Sequence, residues 1–244
     1  MGRPGRTALS TFLAGREFDF AVANCENAAG GFGLTRRTAR ELLEAGLHVI
    51  TSGNHIWRHR DILEYMEEEG CPVLRPANYP ADNPGKGFLV KEVSGARVMV
   101  INLQGRLFMP SLVDCPFRTV DAILRGNRAD VILVDFHAEA TSEKQVMARY
   151  LDGRVTAVVG THTHVLTADA GILPGGTAFI TDLGMCGSAA GVIGMNTEEA
   201  MSRFTTGRQT RLKVAEGDER VNGLRMTLNE NGKVEKLELV DGET

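Results

Sequence analysis

The sequence predicts an α/β protein in which buried strands alternate with amphipathic helices. Short segments rich in valine, isoleucine and phenylalanine each run directly into a small or polar residue, as buried parallel strands do. Between these segments, apolar residues recur with the period of a helix. From residue 208 to residue 240 the pattern becomes alternating apolar and polar, which indicates a closing antiparallel meander.

The first predicted element is a short helix at residues 7–13, which follows a Gly/Pro-rich turn. This start is unusual, because a parallel α/β protein normally opens with a hydrophobic strand, so we expect an element to be missing. Strands are predicted at residues 18–24, 47–52, 98–103, 131–136, 155–160 and 177–181. Further helices are predicted at residues 34–44, 61–69, 117–124, 142–151 and 197–204. No linker or internal repeat interrupts this series, and we expect one domain over residues 1–244.

The composition excludes several classes of protein. Lysine and arginine number 27 against 31 acidic residues, which gives a net charge of −4 and no basic footprint for duplex DNA. A 43% hydrophobic and 24% charged chain is neither disordered nor collagen-like. No apolar run approaches the ~20 residues of a membrane helix, and no signal-like segment is present, so we expect a cytoplasmic protein without membrane partners. Four scattered cysteines without a CxxC pair argue against disulfides and zinc knuckles.

Polar clusters follow four of the predicted strands, at residues 24–27, 53–55, 135–137 and 160–164. Open α/β sheets gather their sites at the carboxyl ends of strands, so these clusters are expected to converge on one crevice. They supply carboxylate, amide and imidazole groups but no thiolate. Such a set suits manganese, iron or zinc in a two-metal hydrolytic centre better than a structural zinc site.

His162 and His164 are the sharpest single signal within these clusters. Residues two apart in an extended segment point to the same side, so both imidazoles can reach one metal pair while Thr163 faces away. The alternative is that two hydrogen-bonded histidines merely cap a strand. His137 and the Asn54–His55 pair, also at strand ends, favour the metal interpretation.

Glu26 is the natural bridging carboxylate, because an acidic residue that ends an apolar strand either faces solvent or meets a cation. In the segment 53–55, glycine permits a tight turn, the Asn54 oxygen can bind a metal, and His55 stays free to donate a proton. The glycine-rich residues 28–33 can bring backbone NH groups to an anionic substrate, although they form no nucleotide-binding motif.

Other histidines, arginines and aromatic residues have more ordinary explanations. His48 lies inside a strand and His59 in a charged helix start, where packing and solvation explain them. Arginines 36, 37, 58 and 60 fit either a phosphate site or solvated helix faces. Four apolar side chains near the proposed crevice can stack on a base or belong to the core: Phe32, Trp57, Phe108 and Met109.

The same clusters match a known pattern, in the strings NCENAAGG at 24–31, GNH at 53–55, DFHAEATSEK at 135–144 and GTHTH at 160–164. In these strings the sequence resembles the YmdB family of bacterial calcineurin-like metallophosphoesterases. The resemblance extends over nearly the whole chain, and the strings HAEATSEK and GTHTH together make it highly specific.

The resemblance implies a four-layer αββα sandwich with a C-terminal antiparallel meander, and a centre of two metal ions, iron or manganese. It also implies the ligands: a bridging Glu26, with Asn27 and His164 at the first site and Asn54, His137 and His162 at the second. His55 is then the proton donor. The family pattern opens with an apolar strand that ends in Gly-Asp, and only its Gly-x-Pro-Gly-Arg part is present, at residues 2–6. We therefore expect the first-site aspartate just upstream of Met1.

The implied reaction is hydrolysis of phosphodiesters, in which a metal-bound hydroxide attacks phosphorus in line and His55 protonates the departing ribose oxygen. Small 2′,3′-cyclic nucleotides are the expected substrates, and RNA ends are the other candidates. The alternative from a different class is a catalytically impaired phosphoesterase fold that binds a nucleotide or a protein as a regulator. A homo-oligomer is compatible with the sequence.

Overall fold

The computed structural model describes residues 1–243 and has the alternating α/β order that the sequence predicts. Its helices are α1 Gly2–Ala14, α2 Arg36–Glu44, α3 Arg60–Met66, α4 Pro116–Gly126, α5 Thr141–Tyr150 and α6 Thr197–Thr206. The first six strands are β1 Val22–Asn24, β2 Val49–Thr51, β3 Phe88–Val93, β4 Ala96–Gln104, β5 Val131–His137 and β6 Ala157–Thr161. The last five are β7 Gly171–Ile172, β8 Ala178–Ile180, β9 Cys186–Ser188, β10 Glu219–Leu228 and β11 Val234–Glu243.

The strands form one large sheet and two small ones. The large sheet has the order β3-β4-β5-β6-β8-β7, in which β4, β5, β6 and β8 run parallel and the two edge strands antiparallel. The small sheets are a parallel pair, β1-β2, and an antiparallel sheet, β11-β10-β9. Parallel strands present their carboxyl ends at one edge, which is where the candidate site lies.

Three hydrophobic clusters hold these layers together. One joins residues of α1, α2 and α3 to β2 and to Val221 and Val240 of the C-terminal sheet. A second packs α4 and α5 on the large sheet through residues such as Met147 and Phe136. The third lies between the sheets and is centred on Val100 of β4. The result is the four-layer αββα arrangement, and this prediction of the fold is confirmed.

Strand β4 shows how one sequence positions both a core and a site. Its last seven residues, 98–104, are all buried. Met99, Ile101 and Leu103 belong to the cluster under the helices, whereas the alternate residues face the other layer. On that second face the apolar Val100 gives way to Asn102, whose side-chain oxygen accepts a hydrogen bond from Ser52 N at 2.9 Å. Polar chemistry therefore begins as the strand approaches its carboxyl end.

The N-terminal segment differs from the prediction, because α1 begins at Gly2 and absorbs the expected Gly/Pro turn. Pro4 lies in the first turn of this helix, where its missing NH would have no intrahelical partner in any case. Gly5 is required by close packing, since a Cβ there would overlap the carbonyl group of Cys186. The helix thus lies directly on β9.

Two strand predictions also need correction. Of residues 18–24 only Val22–Asn24 form a strand. The closing sheet is antiparallel as predicted, but residues 208–218 contribute no strand to it, and its third member is β9. Strands β3, β7 and β9 lie outside the predicted set; the last two have only two and three residues, too few to show a period. Within the described residues, no helix has both the length and the apolar character needed to cross a bilayer.

Candidate metal centre

The candidate site lies where the ends of β5 and β6 meet the segments that follow β1 and β2. His137 is the last residue of β5, and His162 and His164 follow β6 directly. Glu26 and Asn27 follow β1, while Asn54 and His55 follow β2. The site thus bridges the large sheet and one small sheet.

His137 Nε2 is the point on which this arrangement converges. It lies 3.2 Å from Glu26 Oε1, 3.3 Å from Asn54 Oδ1 and 3.1 Å from His162 Nδ1. The His137 side chain is almost fully buried. One ring nitrogen carries at most one proton, so it cannot satisfy three neighbouring lone pairs at once.

Glu26 is buried among partners that favour its charged form. Burial acts to raise its pKa, but the charges and hydrogen bonds of His137 and His55 outweigh that effect and lower the pKa to about 2. Its second oxygen accepts a hydrogen bond from the His55 backbone NH at 2.9 Å. Burial acts conversely to lower the pKa of His137, and the Glu26 carboxylate overrides it, so that this pKa is raised.

Asn27 connects the remaining predicted residues to Glu26. Its amide nitrogen lies 3.4 Å from Glu26 Oε1 and 3.2 Å from His164 Nε2, and its oxygen lies 2.8 Å from His55 Nδ1. His55 is one-third exposed (33%) and meets the Phe32 ring edge-on at a centroid distance of 5.3 Å. All seven predicted site residues therefore form one connected set.

His162 and His164 are held in an uncommon backbone conformation. Their φ angles are 109° and 66°, in the region that non-glycine residues rarely adopt. Burial, followed by the charge of His137, lowers the pKa of His162 to about 4. Burial also lowers the pKa of His164, partly offset by a hydrogen bond to the Ile193 carbonyl. Both imidazoles are thereby favoured in the neutral form, which is the form that binds metals.

Gly53 makes the close approach of these groups possible. A Cβ at this position would overlap His137 Nε2 and Glu26 Oε2. The sequence pattern attributes Gly53 to a tight turn, but the space it leaves for the two side chains is the stronger constraint. No other residue type lets His137 and Glu26 meet beside this backbone.

Asp135 orients His137 from behind. It accepts hydrogen bonds from the Thr51 and Thr161 hydroxyls at 2.5 and 2.7 Å and from Asn24 Nδ2 at 3.0 Å. Because the Thr161 hydroxyl donates to Asp135, its lone pair is free to accept from His137 Nδ1 at 3.0 Å. This series of hydrogen bonds fixes the His137 ring so that Nε2 is the nitrogen that faces Glu26. Hydrogen-bond partners of metal-binding histidines orient the ring in the same way. Burial raises the pKa of Asp135.

The donor set fits a metal ion. Glu26, His137 and His162 each offer a ligand atom, and these atoms all lie within 4.8 Å of one another. Asn54 adds an amide oxygen beside the same His137 nitrogen. Lone pairs that converge without enough protons to share are stabilised by a cation, and mixed oxygen and imidazole donors suit Mn, Fe or Zn.

Comparisons with known proteins show the family of the chain. A family model described as YmdB-like protein matches residues 1–240. The chain belongs to the YmdB-like family. It is 42% identical over 239 residues to a protein of Bacillus subtilis strain 168 named 2′,3′-cyclic-nucleotide 2′-phosphodiesterase, covering 96% of this chain and 90% of that protein.

Solved structures extend the agreement to the fold of this YmdB-like protein. A hypothetical protein from Thermus thermophilus superposes with a TM-score of 0.94 and 43% identity, covering 99% of this chain and 95% of the other. The 5′-nucleotidase precursor of the same organism has a TM-score of 0.56 and 14% identity over 97% of this chain and 47% of its own, a likeness of fold alone. The YmdB-like chain therefore shares its fold with these two proteins, and the oxygen and imidazole donors described above independently fit a metal ion.

Several residues of this YmdB-like site carry no role in the sequence interpretation. Asp135 shares a strand face with His137 at a spacing of two, a signal that could have indicated it. Glu139 lies 3.1 Å from His162 Nε2. In the glycine-rich loop, the Ala29 and Phe32 NH groups bond within the loop and the Ala28 NH bonds to the Cys25 carbonyl, so these three amides are not available to a substrate.

The YmdB-like structure shows which of the remaining aromatic, methionine and histidine side chains pack in the interior and which are exposed. Met109 is buried and Trp57 is half-buried against Tyr79, so both serve packing. Phe108 is 87% exposed. His48 accepts a hydrogen bond from Ala21 N, in agreement with its exclusion from the site.

Proposed function

We propose that the chain is a dinuclear-metal phosphodiesterase that hydrolyses small 2′,3′-cyclic nucleotides, or the same cyclic diester at RNA ends. The observation that carries this proposal is the convergence of Glu26 Oε1, Asn54 Oδ1 and His162 Nδ1 on His137 Nε2, all within 3.3 Å. Membership of the YmdB-like family and the name of the Bacillus subtilis relative supply the substrate class.

Glu26 would bridge the two metal positions. His137, His162 and Asn54 would hold one position. Asn27 and His164, which lie 3.2 Å apart, would hold the other. Oxygen and imidazole donors without thiolate favour iron or manganese as the native pair. When bound, the metals supply an activated water and neutralise the charge that develops on the phosphoryl group.

His55 would donate the proton that the departing ribose oxygen needs. Its side chain is one-third exposed, and Asn27 Oδ1 accepts from its Nδ1 at 2.8 Å, which leaves Nε2 free for substrate. The Glu26 Oε1 atom also lies 3.5 Å from the same Nδ1, and imidazole is the side chain that most often serves as a general acid. The half-exposed Phe32 ring lies against His55, where a nucleobase can contact it.

The proposal is tested by following hydrolysis of 2′,3′-cyclic AMP by protein loaded with Mn²⁺ or Fe²⁺, before and after EDTA. We expect turnover that EDTA abolishes. The variant His55→Ala should lower kcat by about 10²–10⁴-fold while metal content stays unchanged, because a general acid contributes that much. His48→Ala is the matched control, since the His48 ring accepts from Ala21 N and does not belong to the connected set of site residues.

Each other outcome has a defined meaning. Metal binding and nucleotide binding without turnover would favour the regulator, the alternative that the sequence leaves open. Equal kcat values in the two histidine variants would reject His55 as the proton donor.

A further inference from the structure

A buried ion pair lies behind the two histidines that follow β6. Lys144 of α5 places its Nζ 2.7 Å from Asp182 Oδ2, and both side chains are almost completely buried. A buried pair of this kind is weak evidence of stabilisation, because desolvation offsets most of the attraction between the charges. Its place in the structure indicates another role.

Asp182 uses its remaining hydrogen-bonding capacity on backbone. Oδ2 also accepts from the Thr163 NH at 3.0 Å, and Oδ1 accepts from the Gly184 NH at 2.9 Å. Thr163 is the residue between His162 and His164. The carboxylate therefore holds the peptide group that links the two proposed ligands.

That peptide group needs to be held. The φ angles of 109° at His162 and 66° at His164 place a strained residue on each side of Thr163. Such conformations cost on the order of 1–3 kcal/mol each and persist only where the surroundings determine them. Within the described chain, the Asp182 carboxylate is the side-chain acceptor for the Thr163 NH.

The fold makes room for the lysine that balances this carboxylate. Lys144 crosses Gly160 on β6, and a Cβ at Gly160 would lie 2.9 Å from Lys144 Cδ and would overlap the Thr181 carbonyl. Leu183 NH donates to the Gly160 carbonyl at 2.9 Å, which fixes the segment carrying Asp182 against the same strand. Lysine, aspartate and the histidine segment are thus locked to one strand end.

We infer that Asp182 is a positioning residue of the metal centre, which sets the peptide between His162 and His164 in its ligating conformation and is itself held in place by Lys144. The inference rests on the proposed metal site. It assigns to the pair a geometric role in metal affinity, separate from any role in stability.

Two double variants isolate that role, because both remove the two charges together. Lys144→Met with Asp182→Asn keeps an oxygen that accepts from the Thr163 NH. Lys144→Met with Asp182→Leu keeps none. Arg154→Met with Asp121→Asn is the matched control, since that ion pair at 2.6 Å is partly exposed and lies outside the site.

Mn²⁺ affinity, the unfolding midpoint and amide exchange at residues 162–164 of the metal-free protein are measured for each variant. We expect the leucine variant to bind Mn²⁺ about 10–100-fold more weakly than the original protein, the range seen when a residue that orients a metal ligand is lost. The asparagine variant should bind Mn²⁺ within about threefold of the original protein. Exchange at Thr163 should accelerate only in the leucine variant. If that variant does not fold, Lys144→Met with Asp182→Ser replaces it, since a shorter hydroxyl withdraws the acceptor.

Equal Mn²⁺ affinity and equal Thr163 exchange in the two double variants would overturn the inference. A loss of affinity that follows the unfolding midpoint in both would also overturn it, because the pair would then be only structural. If the original protein binds no Mn²⁺, the proposed function fails, and exchange at Thr163 still decides whether Asp182 positions this segment.

Discussion

At the scale of single residues, the site depends on positions that leave space for the ligands as well as on the side chains that hydrogen-bond to them. Glu26 and His137 meet only because Gly53 has no side chain. His137 presents one particular nitrogen because Thr161, itself held by Asp135, accepts from the other. The seven predicted residues would therefore not suffice by themselves; they need a backbone and partners that fix their directions.

Gly53→Ala tests this dependence directly. The added methyl group would overlap His137 Nε2 and Glu26 Oε2, so we expect Mn²⁺ affinity to fall at least tenfold, the lower end of what disturbed ligand orientation costs. The change is measured by titration of the metal-free protein. Gly30→Ala is the control, because no atom of the described residues lies within 4 Å of a Cβ there, although its positive φ adds some strain. Unaltered affinity in Gly53→Ala would show that metal does not bind between these two side chains.

At the scale of elements, the register of the parallel strands brings residues from distant parts of the chain together. Asp135, His137 and Thr161 are placed by the pairing of β5 with β6, and Thr51 reaches Asp135 from the small sheet. The segment after β8 packs on Gly160 so closely that a Cβ there would overlap the Thr181 carbonyl. Position 160 of β6 consequently has no room for a side chain larger than that of glycine.

Gly160→Ala should therefore destabilise the protein by about 1–3 kcal/mol, the usual cost of overpacking a tight interior. The free energy of unfolding in urea measures the change. Gly126→Ala at the end of α4 is the matched control, because a Cβ there meets open space in the described structure and alanine is the better helix former. A Gly160 variant as stable as the Gly126 variant would contradict the close packing of β6 against residues 181–184.

At the scale of the whole molecule, periodicity predicts the layers and the resemblance predicts the set of site residues. The α/β class, the helices α2 to α6 and the central strands could be predicted because the apolar residues of each segment recur with the period of its own secondary structure. The prediction of a turn before residue 7 is wrong because Gly5 serves contact with β9 and Gly2 serves contact with Val214, which no local pattern reveals. Asp182 is equally invisible, since its role depends on contacts with residues 19 and 38 positions away. The single domain over residues 1–244 and the aspartate upstream of Met1 stay predictions.

The metal-free molecule should show a pH dependence set by Glu26 and His137. The pKa of Glu26 is lowered to about 2 in the folded protein. Its contribution to stability is therefore complete above the ordinary carboxyl pKa and is lost as pH falls from there through about 2. The pKa of His137 is raised, so its contribution is complete below the ordinary imidazole pKa and is lost as pH rises through the raised value. We expect the unfolding midpoint of EDTA-treated protein to be highest in the mildly acidic range.

Glu26→Gln should flatten that profile, whereas Glu64→Gln, at an exposed carboxylate paired with Arg60, should leave it in place. An identical pH profile in the original protein and Glu26→Gln would show that the buried pair does not form in the absence of metal.

The most direct test of the account is metal content and 2′,3′-cyclic AMP hydrolysis measured on the same sample, for the original chain and for His137→Ala, after loading with Mn²⁺ or Fe²⁺. The account predicts two metals per chain with turnover in the original, and a loss of both metal and turnover in the variant, because His137 Nε2 is the atom on which the ligands converge. Turnover that persists in His137→Ala, or an original chain that binds metal and nucleotide without hydrolysis, would contradict it.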